Sequence, residues 1–332
     1  MKIFGYSFFA LACSFLFSVE EVDQNILLDP SLRLNGLQVQ KAFSGMSELA
    51  IKSSVKLMRN DKVLAHGTLV DPRGFVVSKA SDCIGARSLV TNEGLSFPVK
   101  VRKRHEGCDL VLLEILNDRS DWPFVEFSDK NISSVPRWAI SASPDLSEIR
   151  IGIFGATSRK IGREGGVMGV VLDEKSEELD GVLVAEVIPH SAADRAGLKT
   201  GDRILKVDRR SVNIAQQVNQ AMQKKDPGDL ILLEISRDQK NSDIRVTLGH
   251  RSVTFDLFNR NILMSGPISK RRDNFPTILQ HDIPLECNHM GGPVFNLEGE
   301  CMGINIARVD RVTNYAIPSY LLGPILNDWL GE

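Results

Sequence analysis

The chain is short of several things, and each shortage excludes something. Aromatic residues make up only 6% of the 332 positions, so a core has to be built from Val, Ile and Leu. No long basic run occurs and the formal net charge is −2. The electrostatic footprint of a nucleic-acid partner is therefore missing, and none is expected. The apolar run from Ile3 to Phe17 falls short of the about 20 residues that span a membrane, and no second run follows. Cysteines number five, and neither Cys-x-x-Cys nor His-x-x-x-His spacing occurs. What remains, 42% hydrophobic and 25% charged residues, suffices for a sizeable core and two or three domains.

Lys2, the apolar run and the small Ser18 before Glu20-Glu21 read as a secretory signal over residues 1–18. Cleavage near Ser18 is expected. A lipoprotein site at Cys13 is the second reading, although Ala10-Leu11-Ala12-Cys13 matches it poorly, and an uncleaved anchor is the third. All three export the chain, to a periplasm or the extracellular space. Cys83, Cys108, Cys287 and Cys301 then remain. An oxidising compartment allows them three pairings; the other reading is four buried thiols acting as small hydrophobes.

Residues 19–52 form a polar lead-in. Ser54 to Met58 and Val63 to Val70 flank the turn pair Asn60-Asp61, and Asp71-Pro72-Arg73-Gly74 is a second turn. Phe75 to Ser78, Ser88 to Thr91, Phe97 to Val101 and Leu110 to Ile115 continue a series of short strands, which predicts a mainly β barrel or sandwich. Later, Asn213 is the expected cap of a helix over Ile214 to Lys224, with Val218 and Met222 on one face. A terminal helix is expected over Tyr320 to Leu330.

Leu279-Gln280-His281-Asp282-Ile283-Pro284-Leu285-Glu286-Cys287-Asn288-His289-Met290-Gly291-Gly292-Pro293, followed by Gly303-Ile304-Asn305, resembles the nucleophile segment of the HtrA/DegP family of trypsin-like serine proteases. Gly67 to Asp71 with Gly74 to Ser78 resembles that family's first hairpin, and Gly107 to Ile115 the strand bearing its triad aspartate. Trp138 to Pro144 resembles a family segment after which the second barrel should begin, and Met264 to Ser269 and Tyr315 to Ser319 resemble segments of that second barrel. Gly165 to Leu172 and Pro189 to Val207 resemble its PDZ domain. The resemblance implies a trypsin-like double β-barrel with an α+β PDZ domain. The first barrel would occupy 53–146. The second, with the C-terminal helix, would take 147–160 and 252–332, and the PDZ domain 161–251 would be inserted within it. The family usually places that domain after the protease. The resemblance also favours pairing Cys83 with Cys108.

Serine-protease acyl transfer needs a hydroxyl nucleophile, an imidazole base, an orienting carboxylate and oxyanion donors. Carried onto this chain, the triad positions are Ser81, Asp109 and Met290, and the oxyanion loop is Asn288 and His289. A thioether has no proton to lose and a serine hydroxyl is no base near neutrality. No catalytic residue set is intact, and Asp109 is expected to be a structural acceptor, for instance of the Ser81 hydroxyl. His289 should point away from its neighbour, His66 aligns with a family position far from the nucleophile, and His105 sits in a charged hairpin. His281, Cys287, His289 and Cys301 are zinc-type ligands without zinc-type spacing; neither a metal nor a cofactor is expected.

The resemblance places a carboxylate-binding loop on Val167, Met168, Gly169 and Val170, extended by Val171 and Leu172. Val218 either lines the groove or belongs to the core. The implied function is a catalytically inactive homologue. It would bind C-terminal or exposed hydrophobic peptide segments, or unfolded protein, in envelope quality control, or serve as regulator or adaptor of an active protease relative. A homo-oligomer is compatible with this. The alternative is an active serine endopeptidase with a non-standard constellation, and a third reading is a structural subunit whose groove is covered.

Overall fold

A computed structural model describes residues 28–33, 36–43, 48, 50–128, 137–144, 149–173, 180–251, 254 and 264–331. The signal segment, Cys13 and the glycosylation sequon Asn131-Ile132-Ser133 lie outside them. A short helix, α1 (Leu37–Ala42), comes first. Six strands follow: β1 (Ser54–Arg59), β2 (Lys62–Asp71), β3 (Phe75–Lys79), β4 (Ser88–Val90), β5 (Ser96–His105) and β6 (Leu110–Ile115). They close into a barrel in the order β1-β2-β3-β6-β5-β4. The period-2 alternation of strands explains its filling: Val55 and Leu57 on β1, and Val111, Leu113 and Ile115 on β6, point into one buried cluster. The β2–β3 turn is fixed by Asp71, whose Oδ1 accepts the Arg73 N–H at 2.7 Å, and by Gly74 at φ 89°.

The chain then starts a second barrel with β7 (Arg137–Ala142) and β8 (Ile149–Ile161) and leaves it; β7 pairs with β8 and β18, so the second barrel begins within the span 53–146 expected for the first. The excursion comprises β9 (Gly166–Val167), β10 (Val170–Leu172), β11 (Val182–Val187), α2 (Ala192–Arg195), β12 (Arg203–Val207), β13 (Arg210–Ser211), α3 (Ala215–Met222), β14 (Leu230–Arg237), β15 (Lys240–Thr247) and β16 (Gly249–His250). Its main sheet runs β10-β11-β12-β14-β15, with β13 beside β12, while β16 closes back on β9. Its own core holds Val182, Val184, Ile204, Val218, Ile231 and Leu233. The chain returns through residues 264–274 to β17 (Phe275–His281), β18 (Pro293–Phe295), β19 (Cys301–Arg308) and β20 (Asn314–Pro318), followed by α4 (Ser319–Leu330). The second barrel closes as β17-β20-β19-β18-β7-β8. The fold is thus mainly β, a trypsin-like double barrel with a PDZ-type unit emerging between two strands, β8 and β17, that are neighbours in one sheet. No helix among the described residues is long and apolar enough to cross a membrane.

Three expectations change. Met264 to Ser269 forms no strand; β8 holds the place beside β17, pairing from Phe275↔Ile161 to His281↔Phe154. Pro267 cannot donate to a ladder, and its carbonyl is taken by the Arg308 guanidinium. The cap of α3 also differs: Ile214, not Asn213, is its N-cap residue, and Gln217 Oε1 reaches back to accept the Asn213 N–H at 2.7 Å. Finally, Cys83, Cys108, Cys287 and Cys301 are free thiols, so the Cys83–Cys108 bridge is not formed. Cys83 lies in the first barrel's core and donates to Ser78 Oγ at 3.1 Å. Burial pushes the Cys83 thiol up to about 12 and Cys108 to about 11, which keeps both protonated and unreactive. All four thiols should therefore titrate after unfolding without reductant, and reductant should leave the melting temperature of the folded chain unchanged.

Candidate functional site

Two loops of the first barrel converge where β3 ends. Ala80 N–H donates to the Asp109 carbonyl at 2.7 Å, which locks the turn after β3 onto the loop before β6. Asp109 sits at φ 56°, a left-handed conformation that Asp tolerates better than most residues. Its carboxylate is saturated: Oδ2 accepts from Lys79 Nζ at 2.6 Å and from Ser81 Oγ at 2.7 Å, and Oδ1 from Ser81 N–H at 2.9 Å. Lys79 is fully buried (0% exposed) and Asp109 is 3% exposed. Lys79 Nζ also donates to the Arg271 carbonyl at 3.0 Å, on the return segment from the inserted unit. The Ser81 hydroxyl thus meets Asp109 as a structural acceptor would. The lysine beside them was missed in the sequence, where only the aligned positions were weighed.

Met290 faces away from the cleft. It is fully buried (0% exposed) among Leu279, Ile283, Leu285, Val294 and Ala316 in the second barrel's core. Its backbone sews the barrels together: Met290 O accepts the His66 N–H at 3.0 Å, and Gly291 O the Thr68 hydroxyl at 2.8 Å. A Cβ on Gly291, at φ 95°, would lie 2.1 Å from the His66 carbonyl oxygen. The N–H groups of the four residues from His289 to Gly292 are engaged. His289 donates to Glu286 O, Met290 to Cys287 O, Gly291 to Asn305 O and Gly292 to His289 O. Oxyanion stabilisation needs unengaged donors aimed at the reacting oxygen, and these four are bound to the protein itself.

His66 corrects an expectation, because it lies against the Met290 segment. Its ring meets His289 edge-on, with centroids 4.7 Å apart. β2 and the short turn Cys287–His289 pack directly on one another, a contact across two barrels that sequence spacing does not reveal. His66 Nδ1 has no partner among the described residues, whereas His289 Nδ1 accepts the Glu286 N–H at 2.8 Å. Burial, then the charge of Arg150, lowers His289 to about 4, and burial followed by His289, Lys56 and Arg150 holds His66 well below its ordinary value. His281, bonded through Nε2 to Asn305 Oδ1 at 2.8 Å, is lowered to about 4 by burial. His105 Nδ1 accepts the Cys108 N–H at 3.1 Å. His281, Cys287, His289 and Cys301 do not gather into a metal-binding group among the described residues.

Between the barrels lies a cleft of about 940 Å³, lined by Ser81, Asp82, Cys287 and Asn288 and walled by Ser265 to Lys270 of the return segment. That wall is pinned where Ser269 N–H donates to Arg308 O and Ser269 Oγ accepts the Arg308 N–H, both at 2.9 Å.

A second groove, of about 530 Å³, opens on the inserted unit between Gly166 to Val170 with Leu172 on one side and Asn219, Met222 and Gln223 of α3 on the other. Ala193 and Ile188 donate to the carbonyls of Met168 and Gly169, at 2.8 and 3.0 Å. In a trans peptide the following N–H points the opposite way, so the N–H groups of Gly169 and Val170 turn from the body toward the groove. Gly169 is required here: φ is 82°, and a Cβ would lie 2.4 Å from Ser191 Cβ. Among the described residues β10 is the sheet's edge, and no described strand pairs with its outer side. Val218, left between groove and core by the sequence, and Val171, expected in the pairing strand and found in β10, do not line the groove with their side chains. Val218 is fully buried in the unit's core, because α3 turns that face to the sheet. Val171 is 46% exposed and outside the groove, since alternation sends it to the opposite face from Val170 and Leu172. Asn219 and Met222 were the residues to find, one and four positions beyond Val218.

The fold and the grooved unit define a class: a protease-like double barrel carrying a PDZ-type module. Residues 166–248 match the family described as PDZ domain. The chain is similar to the mitochondrial serine protease HTRA2 of Bos taurus, 26% identical over 46% of this chain and 36% of that protein. It is similar also to the serine endoprotease DegS of Haemophilus influenzae, 32% identical over 30% of this chain and 31% of that protein. To the periplasmic pH-dependent serine endoprotease DegQ of Escherichia coli it is 25% identical over 64% of this chain and 48% of that protein. The chain thus spans half or less of the length of these relatives. Their homology supports a protease-like, peptide-binding class.

Two outcomes follow from this geometry. Lys79→Met leaves Asp109 a buried charge without its cation and should lower unfolding stability by about 3–5 kcal/mol, read from urea midpoints. The second concerns pH. His281 and His289 stay neutral in the fold down to about pH 4, while in the unfolded chain they take up protons near 6.5. Stability should fall as pH drops through that window, by up to about 1.4 kcal/mol per unit for each histidine. His289→Asn, which keeps an acceptor for the Glu286 N–H, should flatten the slope of stability against pH.

Proposed function

We propose that the chain is a catalytically inactive relative of the HtrA/DegP serine proteases that captures extended peptide termini in its PDZ groove. It would act outside the cytoplasm, in envelope protein quality control or as regulator or adaptor of an active relative. The observation that carries this reading is the contrast between the two sites. Where the triad would stand, Asp109 is saturated by Lys79 and Ser81, Met290 is buried, and the amides of His289 to Gly292 are engaged. On the PDZ unit, in contrast, an edge strand and two outward-turned amides border a groove of mixed polar and apolar lining among the described residues, the arrangement that receives an added strand and its terminal carboxylate. The periplasmic setting named for the DegQ relative supports export, as does the apolar start of the chain. Ser81, Asp109 and Met290, with Asn288 and His289, are the positions that would have carried catalysis. Val167, Met168, Gly169 and Val170 would hold the peptide terminus, with Leu172, Asn219 and Met222 lining its side chains.

The test has two arms. Incubated with an unfolded protein, the chain should leave it uncut, and Met290→Ser should restore no cleavage while lowering stability by about 2–4 kcal/mol, because it opens a cavity and buries a hydroxyl. Cleavage abolished by Asp109→Asn would overturn the inactive reading. In the second arm, a peptide with an apolar free C-terminus should bind and its amidated form should not. Asn219→Trp, an exposed position facing the groove, should abolish that binding with an unchanged melting temperature. Equal binding of both peptides would overturn terminal capture.

A further inference from the structure

One flank of the first barrel carries cations that the fold leaves without anions. The stretch Lys100-Val101-Arg102-Lys103-Arg104 in β5 is short, and the net charge of −2 conceals it. A register shift between Val101 and Lys103 interrupts the alternation of β5, and all five residues are exposed. Arg87 lies beside them. Its N–H donates to Met58 O at 2.9 Å and its carbonyl accepts the Val99 N–H at 3.0 Å, so it bridges β1 and β5. Arg59, next to Met58, follows the same loop, with Cδ 3.3 Å from where a Cβ on Gly85 would stand. It faces Lys62 across the β1–β2 hairpin.

Counter-charges cover part of this flank. Arg102 is paired with Glu114, and Lys103 with Asp328 at 3.9 Å. Asp61 sits in the turn between Arg59 and Lys62. Asp82 belongs to the cleft, where it interacts with Lys79, Asp109 and Lys270. Arg59, Lys62, Arg87, Lys100 and Arg104 form no ion pair among the described residues. Apolar side chains stand among them: Ile84, three residues before Arg87, is 64% exposed, and Val101 is 38% exposed. Guarding a sheet edge accounts for lysine and a bulge on one strand. It does not account for cations on three strands and a loop, nor for an exposed isoleucine between them. Arg59, Lys62 and Ile84 also border the inter-barrel cleft, whereas Arg87 and Lys100 to Arg104 lie outside its lining.

From this arrangement we propose that the flank is a docking surface for a bilayer bearing anionic headgroups, where the cations meet lipid phosphates and Ile84 enters the headgroup layer. Each lysine or arginine close to an anionic bilayer strengthens binding by about fivefold, and a buried apolar side chain adds to that attraction. A soluble polyanion would meet the charges and leave Ile84 and Val101 in water. The surface shares no residue with the PDZ groove, and it requires neither a peptide ligand nor the loss of catalysis.

The test uses the mature chain expected after cleavage near Ser18, which removes the apolar start as a second membrane contact. In vesicle co-sedimentation it should bind bilayers of phosphatidylglycerol and phosphatidylcholine in equal parts, and added salt should weaken that binding. Vesicles of phosphatidylcholine alone should bind at least about tenfold more weakly. The triple variant Arg87→Gln/Lys100→Gln/Arg104→Gln, at exposed positions, should lose about tenfold or more in affinity with an unchanged melting temperature. Ile84→Ser should weaken binding to the same vesicles by about threefold or more. Absence of binding, equal binding to both vesicles, or indifference to either the triple variant or Ile84→Ser would each overturn the proposal. Binding to polyglutamate without binding to vesicles would assign the flank to an acidic polymer and overturn it as well.

Discussion

The buried ion pair between Lys79 and Asp109 is the constraint on which the rest depends. An ammonium and a carboxylate removed from water are tolerable only when each is met by other groups. Asp109 receives three donors and Lys79 reaches the Arg271 carbonyl as well. The pair therefore fixes the end of β3, the loop before β6 and the segment returning from the PDZ unit in one place. It also occupies the carboxylate: a general base would need Asp109 to orient it, and here Lys79 and Ser81 take both carboxylate oxygens.

The second barrel repeats the logic in apolar form. Met290 fills its core, while the Met290 and Gly291 carbonyls accept from His66 and Thr68 of the first barrel. What would be a reactive loop is a seam. Arg271 reinforces it, donating to the carbonyls of Glu106 and Gly107 beside Asp109.

Much of this was legible in the residues. The strand series from Ser54 to Ile115 follows from alternation and turn chemistry, and the Gly169 loop from its motif. Met290 and Ser81 showed that a hydroxyl and an imidazole were missing from the positions the resemblance assigns. Lys79 was silent, because nothing in Ser78-Lys79-Ala80-Ser81 says that a lysine turns inward; only the carboxylate arriving from Asp109 makes that burial tolerable. His66 was misplaced for the same kind of reason. Its neighbour His289 is far along the chain, and the contact exists because two closed barrels meet there.

Strand pattern, turn positions, the PDZ motif and the absence of triad side chains were determined by the sequence alone, since each rests on local periodicity or residue chemistry. Tertiary structure decided which thiols remain unpaired, which face of α3 lines the groove, and which strand stands beside β17. It also turned Met290 into the core and Lys79 onto Asp109. Those outcomes depend on distances between segments remote in the chain, and closure of the barrels sets those distances.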